Sequence, residues 1–387
     1  MHPGVAASVR RWICVAAACI TIVVASPLTE AHKVITSKYN YNEHVFPILR
    51  DRCGRCHVEG GPTPMSLMTY KDTVPWAESM REQLTAELMP PWYVDRLGPA
   101  VKGGHVITNK ELDVVVTWAA GGTPEGDPAK APAAVAVQTS WMAGPPDLAI
   151  AMDAAHALPA GKMEDTVDLT LPTNLREEKW IKAVDLLPGT PSMVRDAAIA
   201  TEDGVVLGEW VPGYEATPAP NGTAFRLAAG AKLRVRIHYK KHWQDEQRET
   251  SDRSTIGLYF TDAPLTGRAI QTVVVSPPAA EAPVSQARTF SGTLTTASRV
   301  LALRPALDQA YASVAIDAVL PNGRRASLLR LHAAQTQWRR RYWLAEPVEL
   351  PAGTRVEVTA LPAMPSDYPA STTRYPLQVT LDVVPVS

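Results

Sequence analysis

From residue 147 onward, apolar and polar residues alternate in stretches such as TAFRLAAGAKLRVRIHYK, RSTIGLYF, YASVAIDAVL and TRVEVTAL. A period of two puts every second side chain on one face, so each stretch predicts a half-buried strand. Pro- and Gly-rich turns, VPGYEATPAPNG and LPNGRR among them, separate the stretches at short intervals. That rhythm predicts an all-β region. Its length, roughly 240 residues, exceeds one ordinary sandwich, so two tandem antiparallel sandwiches of jelly-roll type are expected, divided near residues 266–285.

The period changes before residue 126. YNEHVFPILRDRC, residues 41–53, reads as a short amphipathic helix with Val45, Phe46, Leu49 and Cys53 near one face. Residues 73–92 place Trp76, Met80, Leu84 and Leu88 at helical spacing, and Pro90–Pro91 stop that pattern. Residues 108–122 open on a Thr108–Glu111 capping box, carry Leu112, Val115, Val116 and Ala119 on one face, and end at Gly121. Residues 122–147 are rich in Pro, Ala and Gly without a sustained period, which marks a linker. At the other end, Arg10 and Arg11 precede an apolar run from Trp12 to Ala25. A run of about 14 residues is short of the roughly 20 that cross a bilayer and has the form of a secretory signal. Cleavage after Ala31 or Ala25 is expected, and an uncleaved anchor is the alternative. The expected organisation is a signal at 1–31, an all-α domain at 32–126, a linker at 127–146, and β-sandwiches at 147–268 and 269–387.

Charge narrows the partners. With 38 Lys and Arg against 39 Asp and Glu, the net charge is near zero, which gives no reason to expect nucleic acid or an anionic membrane surface. Cysteines narrow the chemistry. There are four, at 14, 19, 53 and 56, and signal cleavage removes the first two. One Cys-x-x-Cys in an exported chain leaves nothing to staple. A structural zinc site wants four ligands, and no second pair exists. A thioredoxin-like dithiol follows a strand, whereas Cys53 follows a helical pattern. His57 after Cys56 completes Cys-x-x-Cys-His, the attachment pattern of a covalent haem c, in which two thioethers fix the porphyrin and the next imidazole reaches the iron.

Residues 41–122 resemble class I cytochrome c, with an N-terminal helix, the haem motif, a Met-Pro loop and a closing helix containing a Trp. The resemblance implies one covalent haem c held by Cys53, Cys56 and His57, with Met89 in LMPPW as the sixth ligand. Met65 is a rival, as are His105 and His44. Met68 and Met80 read as core filler.

EWVPGYEATPAPNGTAFRLAAGAKLRVRIHY, followed later by PNGRRASLLRL and RYWLAEPVELPAGTRVEV, resembles the copper type II, ascorbate-dependent monooxygenases over residues 147–387. That family implies two coppers held by histidines and one methionine. Here Arg195 and Asp196 stand where a His pair belongs, Ala306 and Asp308 where a His-x-His belongs, and RYPLQVTLDV lacks the late methionine. His238 alone matches, and a single imidazole does not hold copper as three do, so copper is not expected. His238, His242, His332 and His156 read as ordinary hydrogen-bonded residues. Cleavage before His32 would expose an amino-terminal histidine, a two-nitrogen clamp for copper.

The functional expectation is an exported, periplasmic c-type cytochrome transferring single electrons to a redox partner protein. Its β region would serve docking or the binding of a small ligand. No residue is assigned a catalytic role. The alternative is a haem-fed oxidoreductase or monooxygenase acting through the β region or a partner subunit.

Overall fold

The strand Lys232–Lys240 shows how the alternation is used. Leu233, Val235, Ile237 and Tyr239 are buried, while Lys232, Arg234, Arg236 and Lys240 are exposed. A strand of this kind forms when one face has a core to enter and the other has water. The computed structural model describes residues 34–104, 106–213, 215–262, 269–277, 287–363 and 377–386. The expected signal at 1–31, His32 and His105 lie outside the described residues, as does most of the expected division near 266–285.

Four four-stranded antiparallel sheets dominate. In a first β unit, one sheet runs in the order Leu148–Ala151, Thr255–Thr261, Lys179–Leu187, Phe225–Leu227. Its companion runs Glu164–Pro172, Lys232–Lys240, Val194–Thr201, Val206–Trp210. The two share one core, with Ile181, Ile256 and Phe225 from the first sheet meeting Ile199, Leu233 and Ile237 from the second. In a second β unit, Gln271–Val275, Gln378–Pro385, Ser298–Ala306 and Tyr342–Leu350 form one sheet. Arg288–Thr293, Arg355–Pro362, Tyr311–Val319 and Arg325–Ala334 form the other. Leu301, Ala302, Trp343 and Val384 of the second unit enter the core of the first, so the units meet along an apolar seam.

The expectation of an all-α cytochrome c domain followed by two tandem jelly-roll-like sandwiches is corrected by this architecture. The chain is predominantly β, with a few short helices near its start. Among the described residues the helical runs are Tyr41–Cys53, Tyr70–Thr85 and Asn109–Ala120, with the single turn Pro128–Lys130. Residues 90–104 are not helical. Val94 bridges to Leu331 and Val101 to Leu344, and Trp92, Tyr93 and Val94 are part of the second unit's core. The segment thus draws its packing from the sheets as well as from its own helices. A separate small core of Tyr41, Val45, Phe46, Leu49, Val115 and Trp118 holds the helices together. No helix among the described residues is long and apolar enough to cross a membrane.

The helix boundaries follow local chemistry. Thr108 caps Asn109–Ala120, its hydroxyl accepting the Glu111 N–H while the Glu111 carboxylate accepts the Thr108 N–H. Arg52 adds an ion pair to Glu111 at 3.0 Å. The buried face of this helix is Val114, Val115, Trp118 and Ala119, about one position off the predicted stripe, because the indole of Trp118 anchors it, donating to the Pro124 carbonyl. The preceding helix ends at Thr85, earlier than Pro90 requires, and Glu87 turns the chain with φ 56°.

Candidate functional site

The predicted site residues stand on three segments. A continuous helical run, Tyr41–Cys53, packs Tyr41, Val45, Phe46 and Leu49 inward and delivers Cys53 at its end. The chain then turns tightly, with the Cys56 and His57 N–H groups both donating to the Cys53 carbonyl at 3.0 and 2.8 Å. Gly54 sits at the crowded point, where an added Cβ would lie 2.6 Å from the Arg50 carbonyl oxygen. Met89 comes from the segment after Thr85, its N–H donating to the Gln83 carbonyl, and a cis peptide joins it to Pro90. Glu87 ties this segment to the second β unit through His332 at 3.1 Å.

These side chains meet. Cys53, Cys56, His57 and Met89 line one cavity of about 240 Å³, together with Met65, Leu67, Trp76, Met80, Leu84, Ile107 and Val115. The β units close it. Gly213, at the turn after Trp210, and Trp338 of the second unit also line it. The Pro212 carbonyl lies 3.5 Å from Cys56 Sγ, and Arg55 pairs with Glu215 at 3.0 Å. At Gly213, with φ 78°, a Cβ would stand 2.7 Å from Cys56 Sγ, so only glycine lets this turn lie against the cysteine.

The lining is mostly apolar; Arg52 and Arg55 at its edge are ion-paired with Glu111 and Glu215, and the cysteines and the histidine are held neutral. Burial pushes both thiols up to about 12, at Cys53 helped by the neighbouring Cys56. Burial pushes His57 down to about 4, which the Met65 carbonyl partly offsets. The His57 Nδ1 is buried without a hydrogen-bond partner. A reactive dithiol needs a lowered thiol pKa, so this cavity is unsuited to thiol exchange. The sulfur-rich, water-poor lining is suited to holding a bulky apolar molecule.

Of the rivals to Met89, Met65 lines the cavity and Met68 belongs to the helical core. Met80 packs against the helical core as expected and also lines the cavity. His44 turns elsewhere, its Nδ1 accepting the Asn40 N–H. Gly213 and Trp338 could not be read beforehand, since both reach the site from more than 150 residues away and share no spacing with it.

The haem expectation is corrected. Cys53 and Cys56 form no disulfide. Among the described residues no group of three or more His, Cys, Asp and Glu side chains converges to hold a metal. The surrounding segment is also not the all-α domain that a class I cytochrome c implies. The likeness to the copper monooxygenases is corrected with it. His238 is held between two carboxylates, Nδ1 at 2.9 Å from Asp196 and Nε2 at 2.8 Å from Glu164. Asp196, Glu164 and the charge of both raise its pKa against the pull of burial. Arg195 donates to the Ser192 carbonyl, and Asp308 binds Arg288 and Tyr311. These are ion pairs and hydrogen bonds within the sheets.

The chain matches no family model, and no curated protein matches it in sequence. Solved structures share only a distant likeness. The major capsid protein P2 of bacteriophage PM2 is 10% identical over 62% of this chain and 97% of that one, with a TM-score of 0.27. A secreted protein of Eubacterium rectale is 11% identical over 58% of this chain and 70% of its own, with a TM-score of 0.19. The PBSX exported protein XepA is 10% identical over 58% and 88%, with a TM-score of 0.18. Likenesses this low assign neither family nor activity.

Proposed function

We propose that this is an exported binding protein whose working site is the cavity between the helices and the β units, and that its ligand is a bulky, mostly apolar molecule held without a covalent bond. The observation that carries the reading is the convergence of His57, the two protonated cysteines and the thioethers of Met65, Met80 and Met89 on one apolar cavity. A protonated thiol is a poor nucleophile, which supports reversible binding.

Single-electron transfer to a redox partner enters this proposal as the activity of a redox-active ligand, which a dry, polarizable lining suits. Export to the periplasm belongs to it as well, supported by the charged and then apolar pattern of residues 10–25.

Titration with N-phenyl-1-naphthylamine, a neutral apolar fluorophore, tests the reading. It should saturate at one site per chain with a blue-shifted emission. Met65→Trp, which fills the cavity from a loop, should weaken it about tenfold, the effect of roughly 1.4 kcal/mol. Saturation unaffected by that substitution would place the apolar site elsewhere.

A further inference from the structure

A second cavity, of about 370 Å³, lies where the helical segment meets both β units. It shares no lining residue with the first. Four cations, Lys102, Lys182, Arg340 and Arg341, line it against two carboxylates, Glu209 and Glu215, an excess of two positive charges. Pairing with groups just outside the lining leaves that excess at two. Glu215 pairs with Arg55, which does not line the cavity. Arg341 is spent on Asp382 and on the carbonyls of Val206 and Leu207. Lys102 and Lys182 are exposed and line the cavity from different parts of the chain, one from the helical segment and one from the first β unit. Arg340, only 6% exposed, is fixed by the Pro91 carbonyl and lies 5.2 Å over the Trp92 ring.

Two further features point to a ligand. Glu209 Oε2 is buried and accepts no hydrogen bond, while its other oxygen stands 4.0 Å from Arg304. A buried acceptor without a donor costs free energy that a ligand hydroxyl would recover. Two glycines also line the cavity. A Cβ on Gly104 would stand 3.0 Å from the Trp92 ring, and one on Gly103 would stand 3.1 Å from the Thr217 hydroxyl. Side chains here would fill the space and cover the indole.

We propose that this cavity binds a small organic anion that carries a hydroxyl group, of the hydroxycarboxylate class. The carboxylate faces Lys102, Lys182 and Arg340, the hydroxyl donates to Glu209 Oε2, and the carbon skeleton lies against Trp92 and Trp343. Charge-assisted bonds from a desolvated arginine supply the strongest part of such recognition. The acceptor on Glu209 separates this class from simple carboxylates, and the cationic rim separates it from neutral sugars.

Calorimetric titration of the full chain with sodium gluconate, with acetate and glucose as comparators, tests this. Gluconate should bind saturably and at least tenfold tighter than either comparator, and should weaken as salt is raised. Lys102→Ala and Lys182→Ala, both at exposed positions and therefore neutral for folding, should each weaken it about tenfold, the loss of one charge-assisted bond. Glu209→Gln should reduce the preference for gluconate over acetate. Gluconate binding no tighter than glucose, or binding unchanged in the two lysine variants, would overturn the proposal.

Discussion

His57 carries a consequence at the scale of one residue. Burial holds it neutral, with a pKa of about 4 in the folded protein, against about 6.5 in an unfolded chain. A base depressed in this way takes its proton first in the unfolded state. Its full contribution to stability is therefore present above about pH 6.5 and is lost as pH falls toward 4. The loss across that window is of order 3 kcal/mol. Urea denaturation at pH 7 and pH 4.5 should show the drop, and His57→Gln should flatten it. A pH dependence unchanged by that substitution would mean that His57 is not buried as described.

At the scale of elements, the Asn109–Ala120 helix shows what could be read beforehand. Its capping box depends on residues three apart, so the sequence displays it, and the same holds for the period-two strands such as Lys232–Lys240. Thr108→Ala should remove the bond to the Glu111 N–H and cost about 1 kcal/mol, measurable as a lower urea midpoint with an unchanged slope. Burial pushes the Glu111 carboxyl up, but its bonds from Thr108 and Arg52 outweigh this and hold it below its usual range. The phase of the buried stripe was less legible, since Trp118 and its bond to Pro124 decide it. Residues 90–104 were not legible. Trp92, Tyr93 and Val94 look like the tail of a helical segment, yet their partners are Leu331 and Tyr342, more than 200 residues on. The candidate site divides in the same way. Cys53, Cys56 and His57 are adjacent and announced themselves, whereas the turn at Gly213 that closes over them did not.

At the scale of the whole molecule, one buried arginine joins the parts. Arg341 donates to the Val206 and Leu207 carbonyls of the first β unit and to Asp382 of the second at 2.6 Å. Its guanidinium also lies 4.7 Å from the Phe225 ring and 5.2 Å from that of Trp343. Asp382 is fully buried, and Arg304 reaches it only at 3.5 Å. Arg341→Leu strips the carboxylate of its close partner and releases two carbonyls, which should cost about 3 kcal/mol. Thermal unfolding should show a large fall in midpoint, and an unchanged midpoint would mean that the seam holds without it. Because both units help to close the cavity over Cys56, this variant should also weaken the apolar probe.

The central claim is that the cavity lined by Cys53, Cys56, His57 and Met89 holds its ligand reversibly, with neither cysteine bonded to it. Intact mass measurement of the exported protein, first under native and then under denaturing conditions, tests it most directly. The account predicts a native mass above that of the chain by one small molecule, and a denatured mass equal to the chain with two alkylatable thiols. A denatured mass that stays above the chain, with Cys53 and Cys56 blocked, would contradict it by showing a group bonded to the cysteines.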